Sequence, residues 1–212
     1  MLENGAGSAR EKSKSQLLVL SELNHLLVHL FFQDECMRFD IRAGTDLLLQ
    51  GLLSEPSICF CIISCMEYNN SLSIVKELLD NALPGDWEVN PSRDGCLPFV
   101  DTSGGRPKVY VINPETGKRP LTHSDLDRVW YRLGWSMGST GGFDASNTIL
   151  LDIKQQDSRF QYNALHLCKW QPEEQEVEEG SMMQILLTYL LKLARTLTCV
   201  PEYLQSCPFT CS

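Results

Sequence analysis

A short apolar run, Leu17–Leu20, leads into two polar residues spaced two apart, Glu22 and Asn24. The carboxyl end of a buried strand is where parallel-sheet enzymes commonly hold a reacting group, and a carboxylate there can act as a nucleophile. Ser64 closes a second apolar run, Ile58–Ser64, and Asp152 stands near the end of a third, Asn147–Ile153. A hydroxyl can donate to anionic oxygens, and a carboxylate suits a hard cation. Each residue also has a plain structural reading. Glu22 fits a solvated strand-end acid, Ser64 a turn or cap residue, and Asp152 a cap for the following turn.

The elements that must position these residues can be read from periodicity. Ile58–Ser64 is rich in Ile, Cys and Phe without alternation, as expected of a parallel strand covered on both faces. Asp46–Leu53 has helical character before Pro56 breaks the chain. In "NNSLSIVKELLDNALPG" an Asn/Ser cap precedes apolar positions Leu72, Val75, Leu78 and Leu79, and Pro84-Gly85 ends the helix. "THSDLDRVWYRLG" places Leu126, Val129, Trp130 and Leu133 on one face behind a Thr122 or Ser124 cap. Ala164–Cys168 reads as a fourth strand, "PEEQEVEEG" as a solvated acidic loop, and Met182–Leu197 as an apolar helix docked on the sheet. Residues 86–120, rich in Gly, Pro, Asn and Asp, carry one strand signal at Lys108–Ile112 and read as an insertion or flap off the main layer. Residues 1–15 form a loose polar tail, leaving 16–212 as one domain.

Strands alternating with helices give an α/β fold, a mostly parallel sheet flanked by helices. Glu22, Asn24, Ser64 and Asp152 then converge on its carboxyl edge.

The bulk numbers remove several function classes. A formal charge of −9, with no Lys/Arg cluster beyond Lys12/Lys14 and Lys118-Arg119, argues against nucleic-acid binding. Nine cysteines contain no C-x-x-C pair, so they read as buried hydrophobes in a reducing compartment and not as zinc ligands. His25 and His29 have no partner at ligand spacing and read as loop or core residues. No apolar run is long enough to cross a membrane and no secretory leader stands at the start, so an intracellular protein of nucleus or cytoplasm is expected.

Taken in order, six segments resemble the haloacid-dehalogenase superfamily. They are "LLVLSELNHLLVH", "IRAGTDLLLQGL", "CIISCMEYNNSLSIVKELLD", "KRPLTHSDLDRVW", "FDASNTILLDIKQQDSRFQYN" and "LLTYLLKLARTLTCVPEYLQSCPF". The chain is similar over roughly residues 16–209 to the branch of RNA polymerase II C-terminal-domain phosphatase-like (NLI-interacting-factor-like) proteins, which also holds a mitochondrial presequence-receptor subunit. The resemblance implies a Rossmann-like sheet and a magnesium-assisted phosphoryl transfer. The family's Asp-x-Asp motif falls on Glu22 and Asn24, its phosphate-binding Ser/Thr on Ser64, its lysine on Ser124, and its pair of acids on Asp152 and Ile153.

Those departures weaken the implied chemistry. Glu22 keeps a carboxylate on a longer arm, and misplacement of about 1 Å costs about a hundredfold. Asn24 cannot exchange a proton at neutral pH, which forfeits about 10²–10⁴-fold. Ser124 lacks the cation that would stabilise a transferring phosphoryl group, with His123 beside it as a weak substitute. Ile153 removes an acid, leaving Glu22 and Asp152 to bind magnesium weakly or not at all. The expectation is a catalytically impaired phosphatase-like module for a protein partner, of which a phosphoprotein is one kind. The alternative is a slow magnesium-dependent Ser/Thr phosphatase working through an acyl-phosphate on Glu22. An import-receptor role is disfavoured, since neither a transit peptide nor a membrane helix is read.

Overall fold

In the computed structural model the first apolar run forms β1, Leu17–Glu22, buried from Leu17 through Ser21. The structure describes residues 16–64, 68–82, 109–112, 126, 129–130, 142–153, 162–172, 179–196 and 199–210. β1 pairs on one side with β4, Ile58–Ile63, from Leu17↔Ile58 to Glu22↔Ile63. On the other side it pairs with β6, Thr148–Asp152, from Leu18↔Thr148 to Ser21↔Leu151. β5, Val109–Ile112, extends the sheet beyond β4, and β7, Ala164–His166, extends it beyond β6. The order is β5-β4-β1-β6-β7, and every neighbouring pair is parallel.

Alternation along the strands divides the core in two. Leu17, Val19, Phe60, Ile62, Ile149 and Leu151 face one side, where helices cover them. Leu18, Leu20, Cys59, Cys61, Ile63 and Leu150 face the other, against Leu126, Val129 and Phe143. This double covering is why β4 lacks a polar position throughout.

Four helices among the described residues build the first side. α1, Thr45–Ser54, buries Thr45, Leu48, Leu49 and Leu52 at helical spacing. α2, Tyr68–Ala82, buries Ser71, Ile74, Val75, Leu78, Leu79 and Ala82, whereas Leu72 is half-buried, so the buried face is rotated from the expected one to take in Ile74 and Ser71. α3, Glu179–Thr196, buries Met183, Leu186, Leu187, Leu190, Leu193 and Ala194 and begins inside the stretch expected to be an acidic loop. It lies so close to α1 that a Cβ at Gly51 would stand 2.5 Å from both Leu187 Cδ atoms. A further short helix, α4, Val200–Ser206, carries Pro201 in its first turn and closes the C-terminal end.

Two elements differ from the sequence reading. Val28–Gln33 and Cys36–Ile41 form an antiparallel hairpin, β2 and β3, directly after β1. Its turn runs through Asp34 and Glu35 at φ 50° and 61°, a left-handed pair formed without the Gly or Asn that normally signals such a turn. Lys108–Ile112 was expected in an excursion from the main layer, yet Val109–Ile112 is the edge strand β5 of the main sheet. The rest of 86–120, like the 1–15 tail, lies outside the described residues. Among the described residues no helix is long and apolar enough to cross a membrane.

The C-terminal end is locked by aromatic packing. Tyr189 on α3 donates its hydroxyl to the Cys207 carbonyl at 2.6 Å, and its ring meets Tyr203 and Phe209 edge-on with centroids at 5.6 and 5.2 Å. Burial, with a smaller contribution from Tyr203, pushes the Tyr189 phenol up to about 12 from its ordinary 10. A raised phenol stabilises the fold fully below about pH 10, and that contribution is lost as pH rises toward 12. Thermal melts between pH 8 and 12 should therefore show an alkaline fall that is shallower in Tyr189→Phe. The variant should also lose about 1 kcal/mol at neutral pH with the hydrogen bond.

Candidate functional site

In chain order the five parallel strands run β1, β4, β5, β6, β7, so the sheet grows outward from β1 on one side and then restarts on the other. The reversal falls between β1 and β6. Loops leaving the two strands diverge there, and the crevice at their carboxyl ends is where open α/β sheets bind ligands. The last residues of those two strands are Glu22 and Asp152.

Both acids share a face. Glu22 follows Leu20 by two residues and Asp152 follows Leu150 by two, and both leucines belong to the second core. With adjacent strands about 4.8 Å apart, the two side chains leave the sheet as neighbours. Asp152 is buried, while Glu22 is half-buried with its Oε2 atom shielded from solvent. Two carboxylates side by side suit a hard cation that keeps most of its water.

Ser64 stands one residue beyond β4, on the same carboxyl edge, and is buried. Its Oγ accepts a 2.7 Å hydrogen bond from Ser71 Oγ, whose side chain is fully buried in the first turns of α2. By alternation it lies toward the helical side of the sheet, across the edge from the two acids.

Asn24 belongs to the loop that lifts the chain off β1. Leu23, Leu26 and Leu27 are all buried, so this loop is anchored like core. Its backbone is closed by Leu23 N–H to Ile63 O and by Val28 N–H to Leu23 O, with His25 in the left-handed region at φ 66°. Asn24 Oδ1 accepts from Leu30 N–H at 3.2 Å. Its side chain therefore holds the root of the β2–β3 hairpin.

Other contacts brace the same edge. Trp170, buried in the loop after β7, donates its backbone N–H to His25 O at 2.9 Å. The buried Arg42 donates from its guanidinium to Cys168 O at 3.4 Å and from its backbone to Leu27 O at 3.0 Å. The His25 and His29 rings lie 5.5 Å apart, and His29 meets Trp170 edge-on at 6.3 Å. Both histidines thus take part in aromatic packing at the hairpin root.

The sequence-derived residues now separate. Glu22, Asn24, Ser64 and Asp152 all lie along the carboxyl edge, with Ser64 on the face opposite the two acids and Asn24 turned to the hairpin root. Ser124 and His123 lie outside the described residues. Ile153 packs partly buried against the first core. His166 is brought level with Asp152 by β7 and is exposed, a placement the short run "ALHLC" did not signal. Burial pushes the Cys61 thiol well above its ordinary value, with Cys59 beside it adding to the effect, so it is inert core. Cys36 and Cys168, by contrast, are exposed and depart from the expected burial. Among the described residues no group of three or more His, Cys, Asp or Glu side chains converges in a way that holds a metal.

Neither the known protein-family models nor the curated proteins contain a match to this chain.

Two outcomes follow from these contacts. Asn24→Ala should speed amide exchange at Leu30 and cost about 1 kcal/mol, whereas Asn24→Asp, which keeps an oxygen acceptor, should preserve protection there. Ile153→Asp places a carboxyl against apolar side chains and should cost ~1–3 kcal/mol, read as a lower midpoint in urea.

Proposed function

We propose that this chain is a catalytically impaired phosphatase-like module of haloacid-dehalogenase type, which uses its carboxyl edge to engage a phosphorylated protein partner. The observation that carries the reading is the placement of Glu22 and Asp152 at the β1/β6 reversal, with Ser64 on the same edge. The two carboxylates at the switch point suit a magnesium ion, and Ser64, beyond β4 on the same carboxyl edge, offers a hydroxyl. The sequence resemblance assigns those same positions to phosphoryl chemistry.

Glu22 and Asp152 would hold the ion, which when bound would neutralise charge on the phosphoryl oxygens. Ser64 would donate to one of those oxygens. The proton-transfer position is taken by Asn24, whose oxygen is engaged by Leu30 N–H and whose amide carries no exchangeable proton of useful pKa. Ile153 brings no charge to the edge, because its side chain belongs to the core. Binding is thus supported better than turnover. A slow phosphatase acting through Glu22 is the second reading, favoured by the carboxylate that remains at the strand end.

Assay of the purified protein on p-nitrophenyl phosphate and a phosphoserine peptide, with magnesium and with chelator, separates the two. Turnover at background in both conditions is expected. Chelator-sensitive turnover that disappears in Glu22→Ala would establish the phosphatase instead. Replacing Glu22→Asp, Asn24→Asp, Ser124→Lys and Ile153→Asp together should raise activity above background if the variant folds, and a folded but inactive variant would contradict the residue assignment.

A further inference from the structure

His166 ends β7, the strand that borders the sheet on the β6 side. No motif in the sequence points to it, yet strand pairing sets it opposite Asp152. Alternation fixes the face. Leu150 and its partner Ala164 stand two residues before Asp152 and His166, and both belong to the second core or pack on it. One step past the last β1–β6 pair, Ser21↔Leu151, Glu22 comes level with Asp152. Glu22, Asp152 and His166 therefore stand in one row across three adjacent parallel strands, on one face of the carboxyl edge.

We infer that His166 is a ligand-binding residue of this edge, its imidazole donating an N–H to an oxygen of the phosphoryl group; the inference rests on the proposed phosphate-binding edge. The first reason is charge. A phosphoryl group that approaches two carboxylates is repelled unless a cation and hydrogen-bond donors stand with them. An imidazole offers at least one N–H in either of its forms. The second reason is spacing. With adjacent strands about 4.8 Å apart, the row spans about 9.6 Å from β1 to β7. Such a row is too spread to close on one ion, in keeping with the absence among the described residues of three side chains that converge to hold a metal. Magnesium held by one or two carboxylates takes phosphate oxygens at its other positions, which leaves the phosphoryl group beside the third strand. The third reason is rigidity. Leu165 and Leu167 are buried on either side of His166, and Leu167 N–H donates to Asp152 O at 2.8 Å. The backbone of His166 is thus held like core while its side chain is exposed, and a donor carried on a strand is placed more precisely than one on a loop.

Calorimetric titration of the full chain tests this with two probes, inorganic phosphate and N-acetyl-O-phosphoserine amide, each in the presence of magnesium. Wild type, His166→Ala, His166→Asn and Glu22→Ala are compared. His166→Ala should weaken both probes about tenfold, as loss of a hydrogen bond to a charged group does. His166→Asn keeps an N–H donor and should stay within about threefold of wild type. Magnesium titrated alone should bind wild type and His166→Ala equally, because the imidazole serves the anion. Melting midpoints should not move, since the side chain is exposed. In protein carrying nitrogen-labelled histidine, the imidazole signal that is missing from His166→Ala should shift when the phosphoserine probe is added. Unchanged affinity in His166→Ala, or His166→Asn as weak as His166→Ala, overturns the role of His166; the edge itself stands if Glu22→Ala still abolishes binding. Weaker magnesium binding in His166→Ala overturns the assignment of the imidazole to the anion. No binding by wild type, or an affinity unmoved by Glu22→Ala, overturns both the inference and the edge.

Discussion

β1 is hydrogen-bonded on both sides and packed on both faces, and the rest of the molecule is arranged around that condition. From Leu17 to Ser21 the strand is buried, and the Ser21 hydroxyl donates to the Glu22 carbonyl. An ionised group in that stretch would have to give up its hydration without compensation, at a cost a marginally stable fold cannot carry. Glu22 is the first residue of the strand to reach water, so charge enters the sheet's centre only at its carboxyl end. On β6 the acid likewise comes at the strand's last residue, Asp152, although that residue is itself buried. Two neighbouring strands thus bring their first charged group to the same edge and face.

That edge is also structural. The loop after β1 carries three buried leucines, accepts a hydrogen bond from Trp170 and, through Asn24, fixes the start of the hairpin. In the proposed reading Asn24 keeps an oxygen acceptor for Leu30 but no titratable proton, and Ile153 adds an apolar side chain to the core and no charge to the edge.

Legibility in the sequence followed physical origin. The central strands were readable because burial on both faces leaves an unbroken apolar run, as in "ICFCII", and α3 was readable because its leucines recur at helical spacing. The hairpin was missed because only Met37, Phe39 and Ile41 of β3 alternate, β2 runs Leu30-Phe31-Phe32 without a break, and Asp34-Glu35 adopts a left-handed turn without glycine or asparagine. β5 looked like part of an excursion because its flanks are rich in Gly and Pro, and pairing to β4 is a tertiary fact that no local pattern carries. At the site, Glu22, Ser64 and Asp152 were legible as polar residues ending apolar runs. The engagement of Asn24 by Leu30, the inward packing of Ile153 and the Ser64–Ser71 bond were not, because each depends on a neighbour brought in by the fold.

The claim that matters most is that the β1/β6 edge receives a phosphoryl group. An amide-resolved NMR titration of isotopically labelled protein with a phosphoserine compound and magnesium tests it directly. The account predicts saturable shifts concentrated at residues 22–25, 64 and 152–153, with the hairpin root responding through Asn24 and Leu30. Shifts confined to the opposite edge of the sheet, or none at saturating ligand, would contradict it.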